Sequence, residues 1–181
     1  MSFIYVGRLE PLKGTEVLFE AWKRMGDNAP QLFLCGSGCL DDWCREHSRG
    51  LPIEVKGYVE REELVRLLSR SSALILPTLL YEGFPMTIVE AFSVGTPVIC
   101  SDLGNAGDLV EEDVTGWKFA PGNVGELIAA VVKCLRSGSS VRRNVRRVYA
   151  EKYTPEANYR LLADIYTEVQ NADRDFGAER R

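Results

Sequence analysis

The stretch Tyr81-Glu82-Gly83-Phe84-Pro85-Met86-Thr87-Ile88-Val89-Glu90-Ala91 decides how this chain folds. It follows a short apolar run, Ala73 to Leu76, that reads as a buried strand, and it opens a helix. Pro85 suits the first helical turn, where its missing N–H would have no partner. Gly83 lets another molecule approach the backbone closely. The free amides of a helix start favour an anion, most often phosphate. Glu82 stands before the helix and Glu90 about one turn into it. Acceptors suited to hydroxyl groups thus stand beside donors suited to phosphate, which describes a sugar-nucleotide site.

Working outward, Phe3 to Val6, Gln31 to Cys35, Ile53 to Gly57, Pro97 to Cys100 and Gly116 to Phe119 are further short apolar runs that read as strands. Between them lie helical patterns. Val17, Leu18, Ala21, Trp22 and Met25 share one face, and Leu64, Val65, Leu67 and Leu68 another. A helix is expected to end near Arg49-Gly50. Asn123 with Glu126 makes a capping-box start for a helix carrying Leu127, Ile128, Val131, Val132 and Leu135. Thr154 and Pro155 open the last helix, whose apolar stripe is Leu161, Leu162, Ile165, Tyr166 and Val169. Strands alternating with amphipathic helices predict a three-layer α/β domain, a parallel sheet of about six strands with helices on both faces. Ligands of such sheets bind at the carboxyl ends of strands, so Arg8, Gly36, Gly57 and Glu82 should share one rim.

The 181 residues suffice for one domain with a substantial core. A net charge of −4 argues against a general nucleic-acid binder. An odd count of five cysteines suits a reducing compartment. No apolar run approaches a membrane span, and no secretory segment precedes the first strand, so the expected location is cytoplasmic. Arg142, Arg143, Arg146 and Arg147 fall on one side of the Ser139–Ala150 segment. They read first as a solvated face, and second as a surface for peripheral contact with an anionic membrane.

The central stretch resembles the donor-binding motif of retaining glycosyltransferases with two Rossmann-like domains, in their large fourth family, the glycosyltransferases of group 1. Glu82, Gly83, Phe84, Pro85, Glu90 and Ala91 stand where that motif has them. Gly7-Arg8-Leu9 with Lys13-Gly14, and Gly95-Thr96-Pro97-Val98 leading to Ser101-Asp102, match in the same order, so the resemblance runs from about Phe3 to Val169. It implies a Rossmann-like, nucleotide-sugar-binding domain over residues 1–171, the C-terminal half of a two-domain enzyme, followed by a polar, frayed tail over 172–181. The N-terminal acceptor-binding domain is then missing, and the last helix, which crosses back to it in the family, would lack part of its cover.

By that resemblance Arg8 and Lys13 bind the donor diphosphate and neutralise the leaving group, which is electrostatic stabilisation of growing charge. Glu82 would contact hydroxyls of the donor sugar, and Glu90 those of the ribose. Gly7, Gly83, Phe84, Pro85, Met86 and Thr87 would line the sugar and phosphates, with Gly57 and Tyr58 beside the base. No metal or other cofactor is implied, the nucleotide-diphosphate sugar being a substrate. A paired-carboxylate glycosidase fits poorly, because groups suited to phosphate share the rim. Gly36-Ser37-Gly38 is only a fragment of a dinucleotide fingerprint, with Asp41 where a third glycine is expected. Cys35, Cys39 and Cys44 are not spaced as zinc ligands, and His47, the only histidine, falls on a helix away from the rim loops. Asp102-Leu103-Gly104-Asn105 departs from the family's usual paired glycines and later Glu, so Asp108 receives no role. The sequence leaves two rivals open: a non-catalytic module that binds nucleotide sugars or a partner, and a sugar-nucleotide epimerase.

Overall fold

The computed structural model describes the backbone of residues 1–178 and the side chains of residues 1–170. Six strands, β1 (Ser2–Val6), β2 (Gln31–Cys35), β3 (Ile53–Gly57), β4 (Ala73–Leu76), β5 (Val98–Ser101) and β6 (Gly116–Phe119), form one sheet in the order β3-β2-β1-β4-β5-β6. Every neighbouring pair is parallel. The helices are α1 (Thr15–Met25), α2 (Asp41–His47), α3 (Arg61–Arg70), α4 (Met86–Ser93), α5 (Gly104–Leu109), α6 (Val124–Arg136), α7 (Ser140–Lys152) and α8 (Pro155–Ala178). α1 packs against α6, while α4 packs against α3 and α7. The central strands β4 and β5 are buried along their whole length, as a sheet covered on both faces requires.

The connections run outward from β1 in one direction and from β4 in the other, so the order of strands reverses between these two neighbours. Their pairing covers only Phe3 with Ala73 and Ile4 with Leu74, although both strands continue beyond it. The sheet therefore opens at its carboxyl edge, at the switch point where α/β sheets take ligands.

Several sequence expectations shift. Pro85 stands before α4 as its N-cap, in extended conformation (φ −75°, ψ 92°), rather than inside the first turn. The fifth strand begins at Val98, because Pro97 has no N–H for the ladder, though its carbonyl still accepts from Leu74 at 2.9 Å. α2 ends at His47, earlier than expected. Val65 is exposed and Leu68 alone of the α3 stripe is fully buried. The α6 cap forms, with Asn123 Oδ1 accepting from the Glu126 amide at 3.1 Å, and Thr154 Oγ1 accepts from the Ala157 amide at 3.1 Å. The segment expected to fray is helical backbone as far as Ala178, and residues 179–181 lie outside the described ones.

The four arginines of α7 are not one solvated face. Arg142 donates to the carbonyls of Ser71 and Ser69, each at 2.8 Å, and to Thr96 Oγ1 at 3.3 Å, tying α7 to the end of α3 and the start of β5. Arg146 donates to the Ser93 carbonyl at the end of α4. Arg143, Arg146 and Arg147 are all exposed, but only Arg143 and Arg147 are confined to partners within α7 or beside it, Ser139 and Glu151.

Hydrogen bonds to a charged group contribute about 1.5–3 kcal/mol each when their loss leaves buried acceptors. Arg142→Met, which keeps bulk and loses the donors, should cost about 2–3 kcal/mol, or about 4–12 °C in thermal midpoint for a chain of this size. Arg143→Ala should stay within about 0.5 kcal/mol of the unaltered chain. Equal effects would mean that α7 is held by its valines alone. A second expectation concerns thiols. Burial pushes Cys35 up to about 11 and Cys44, Cys100 and Cys134 up to about 12, from an ordinary 9.0. Iodoacetamide at neutral to mildly basic pH should therefore modify exposed Cys39 alone, read by mass spectrometry. The four buried thiols keep their protons to higher pH folded than unfolded, so their stabilising effect is complete below pH 9.0 and fades as pH rises towards 12. The thermal midpoint should fall over that window.

Candidate functional site

The chain leaves β1 at Gly7 and β4 at Pro77, and these two exits build the site. After β1, Tyr5 Oη donates to the Arg8 carbonyl at 2.5 Å, pinning the first turn of the loop. That loop ends at Gly14, in left-handed conformation (φ 73°), from which α1 starts. A Cβ at Gly14 would lie 1.8 Å from the Pro77 carbonyl oxygen, so only glycine permits this approach. The Leu79 amide donates to the Leu12 carbonyl at 2.9 Å, and the two loops are joined. On the other side, Leu9 donates to the Ser37 carbonyl at 3.0 Å, and a Cβ at Gly36 would lie 1.9 Å from the Gly7 carbonyl oxygen. The Gly36-Ser37-Gly38 segment thus serves loop packing here.

Between the exits lies a cavity of about 240 Å³, lined by Tyr5, Val6, Gly7, Lys13, Leu76, Glu82, Phe84, Pro85, Met86 and Thr87. Seven residues singled out from the sequence meet in it: Gly7, Lys13, Glu82, Phe84, Pro85, Met86 and Thr87. Lys13 Nζ donates to Glu82 Oε1 at 2.7 Å, and the two side chains are only 17% and 18% exposed. Thr78, fully buried, donates from Oγ1 to the same carboxylate oxygen at 3.0 Å. The pair expected to meet phosphate and sugar separately is thus in mutual contact.

α4 begins at the cavity wall. Ile88 donates to the Pro85 carbonyl at 2.9 Å, closing the first turn, while the amides of Gly83, Phe84, Met86 and Thr87 donate to nothing among the described residues. Those donors and the positive end of α4 favour an anion. Glu90 is half-buried one turn further on and does not line the cavity; its carboxylate has no hydrogen bond or ion pair among the described residues. The other expected residues lie apart from the cavity. Arg8 is exposed and paired with Glu10 at 2.8 Å. Gly83 stands at the rim, where its carbonyl accepts from Asn105 Nδ2 at the start of α5. Gly57 ends β3, its carbonyl accepting from Gly36 at 2.7 Å, and Tyr58 beside it is 76% exposed.

Sequence reasoning missed Tyr5, Thr78 and Asn105. Tyr5 sits in an apolar strand and reads as core; Thr78 and Asn105 act across loops, where no periodicity marks a partner. Larger hollows exist elsewhere. One of about 350 Å³, lined in part by Ser69 to Ser72 and Arg142, lies at the opposite edge of the sheet. Another of about 320 Å³ lies between α1 and α2, where His47 stacks on Trp43 with ring centroids 4.1 Å apart. Neither holds a residue of the Tyr81–Ala91 stretch, although Pro97 lines the first. Among the described residues no group of three or more His, Cys, Asp or Glu side chains is placed to hold a metal ion. No helix among them is long and apolar enough to cross a membrane.

Known proteins resemble the chain in sequence and in fold. Over 174 residues the chain is 31% identical to the glycogen synthase of Mycobacterium tuberculosis, covering 93% of this chain and 42% of that protein. It is 33% identical over 178 residues to the lipopolysaccharide 1,6-galactosyltransferase of Escherichia coli, covering 91% and 49%. Among solved structures, Anabaena Alr3699/HepE in complex with UDP-glucose superposes with a TM-score of 0.80 at 21% identity, over 92% of this chain and 48% of that one, a likeness of fold. The chain spans a little under half the length of each of these proteins. The model of the family described as glycosyl transferases group 1 matches residues 1–137. The chain belongs to that family of group 1 glycosyl transferases.

Proposed function

We propose that this chain is the donor-binding part of a retaining glycosyltransferase, which moves a sugar from a nucleotide-diphosphate sugar to an acceptor hydroxyl. The observation that carries the reading is the cavity at the β1/β4 opening, where the Lys13 ammonium faces unpartnered amides at the start of α4. Cation and amides together suit a diphosphate. Relatives named as glycogen synthase and galactosyltransferase support the same class of donor.

In this reading Lys13 and the amides of Phe84, Met86 and Thr87 take diphosphate oxygens, and Arg8 adds a second cation at the end of β1. The free Oε2 of Glu82 accepts from a donor-sugar hydroxyl. Glu90, unpaired and half-buried, accepts from the ribose, and Gly57 and Tyr58 flank the base. During transfer the bond between the sugar's anomeric carbon and the phosphate oxygen breaks, and the acceptor oxygen bonds to that carbon on the same face. The acceptor's proton passes to the departing phosphate. Lys13, Arg8 and the α4 amides stabilise the charge that grows there, so the reaction needs neither an enzyme nucleophile nor a divalent ion.

A volume of about 240 Å³ is below the ~300–1,000 Å³ of sites that engulf a drug-sized ligand. This chain supplies one wall. In this reading the second wall and the acceptor site come from a further, N-terminal domain, and the exposed stripe Leu161, Leu162, Ile165, Tyr166 and Val169 on α8 is the surface it would cover. The chain alone should then bind nucleotide without transferring sugar at an enzyme-like rate, since positioning of the second substrate is absent.

The test is calorimetric titration of the chain with UDP, ADP and GDP and their glucose derivatives. Binding of at least one is expected. Glu90→Ala should weaken that nucleotide about 10- to 150-fold, the equivalent of about 1.5–3 kcal/mol for a lost hydrogen bond to a charged group, with little change in thermal midpoint. EDTA should leave the affinity unchanged. No binding by the unaltered chain would overturn the donor-site reading in favour of an interaction module. Loss confined to the nucleotide sugar would exchange the roles of Glu90 and Glu82.

A further inference from the structure

Thr78 belongs to none of the motifs, yet it sits at the centre of the site's only half-buried ion pair among the described residues. It is 0% exposed, two residues past the end of β4. Its hydroxyl accepts from the Leu80 amide at 3.2 Å and has one proton to give. Two acceptors are in reach, the Leu80 carbonyl at 3.4 Å and Glu82 Oε1 at 3.0 Å. The carboxylate is nearer and charged, and it takes the proton. Lys13 Nζ meets the same oxygen at 2.7 Å. Both donors therefore converge on Oε1, and Oε2 has no partner among the described residues although Glu82 lines the cavity.

The terminal torsion of a glutamate is broad and, in water, turns its oxygens freely. A lysine pair alone would not stop that, because an ammonium donates to either oxygen equally. Thr78 differs, being fixed by its own backbone and by the Leu80 amide. We infer that Thr78 is a positioning residue of the donor site: it locks Glu82 Oε1 onto Lys13 and so presents Oε2 to the hydroxyl of the donor sugar. The inference rests on the proposed donor-binding reading and goes beyond it by assigning sugar recognition to a residue that touches neither sugar nor phosphate. Preorganising an acceptor before binding removes the ordering cost that a mobile carboxylate would bring.

The effect should appear as a loss of preference for the sugar. The probe is whichever pair the unaltered chain binds among UDP and UDP-glucose, ADP and ADP-glucose, or GDP and GDP-mannose. Thr78→Val keeps the shape and removes the hydroxyl. It should weaken the nucleotide sugar about 10-fold and the nucleotide diphosphate by less than about 2-fold, and Thr78→Ser should restore the difference. In a Glu82→Gln background Thr78→Val should change sugar preference no further, because residues acting through one group are not additive. Thr78→Cys, a poorer donor of similar size, replaces Thr78→Val should that variant fail to fold. Failure of the unaltered chain to bind any probe overturns the donor-site reading and this inference with it. Equal affinity for both members of the pair, a sugar preference untouched by Thr78→Val, or equal weakening of both ligands with a lower thermal midpoint overturns the inference alone.

Discussion

The site depends on the parting of β1 from β4. Parallel strands joined by right-handed crossovers cannot both continue in the same direction from the middle of a sheet. The chain leaves β1 towards β2 and β4 towards β5, and the two exits must diverge. What is unusual here is how tightly the diverging loops are then brought back together. The Gly14 backbone touches the Pro77 carbonyl where no side chain would fit, and Leu79 bonds Leu12 across the gap. The opening is thereby a fixed cleft between two clamped loops, and its width is set by backbone.

That rigidity gives the Lys13–Glu82 pair its meaning. Exposed pairs such as Arg8–Glu10 contribute little, since water screens them and long side chains must be ordered. Lys13 and Glu82 are mostly withdrawn from water, so their attraction is stronger and so is the cost of leaving either one alone. A bare lysine in this cavity would resist desolvation, and a bare glutamate would repel a diphosphate. Together they leave the cavity near neutral until a ligand arrives. Under the donor-site reading, a diphosphate shares the remaining protons of the ammonium while the carboxylate keeps one, and the α4 amides supply the rest of the positive potential without needing to move.

The sheet and most helices were legible because burial writes itself into the sequence with a period. β4 and β5 are apolar throughout, and α1 and α6 carry stripes that meet one another. α5 was not legible, being six residues with two glycines and no room for a stripe. The position of Pro85 missed by one residue for a stereochemical reason: ψ of 92° keeps it outside the helix while its carbonyl still closes the first turn. Arg142 and Arg146 looked like solvent-facing charge, because composition cannot tell a cation in water from one capping the carbonyl ends of other helices. The motif residues that meet in the cavity were identified by their resemblance to the motifs of group 1 glycosyltransferases. Spacing did not reveal that Glu82 and Lys13, 69 positions apart, would be each other's partner, or that a threonine would arbitrate between them.

The rim of the cleft exposes apolar side chains. Phe84 and Met86, which line the cavity, are 52% and 59% exposed, and Leu12 and Tyr81 on the same two loops are 54% and 81% exposed, an apolar collar on those loops. Left in water, that collar costs free energy in proportion to its area. It recovers that cost only by being covered, and the loops that carry it also carry Lys13, Glu82 and the α4 amides. Under the donor-site reading, closure of a second domain over the collar would bury apolar surface and expel water from the diphosphate in one movement. The same charges then act in a lower dielectric, where each stabilises a departing phosphate more strongly than in the open cleft. Under the same reading, binding resides in this chain and turnover requires its complement.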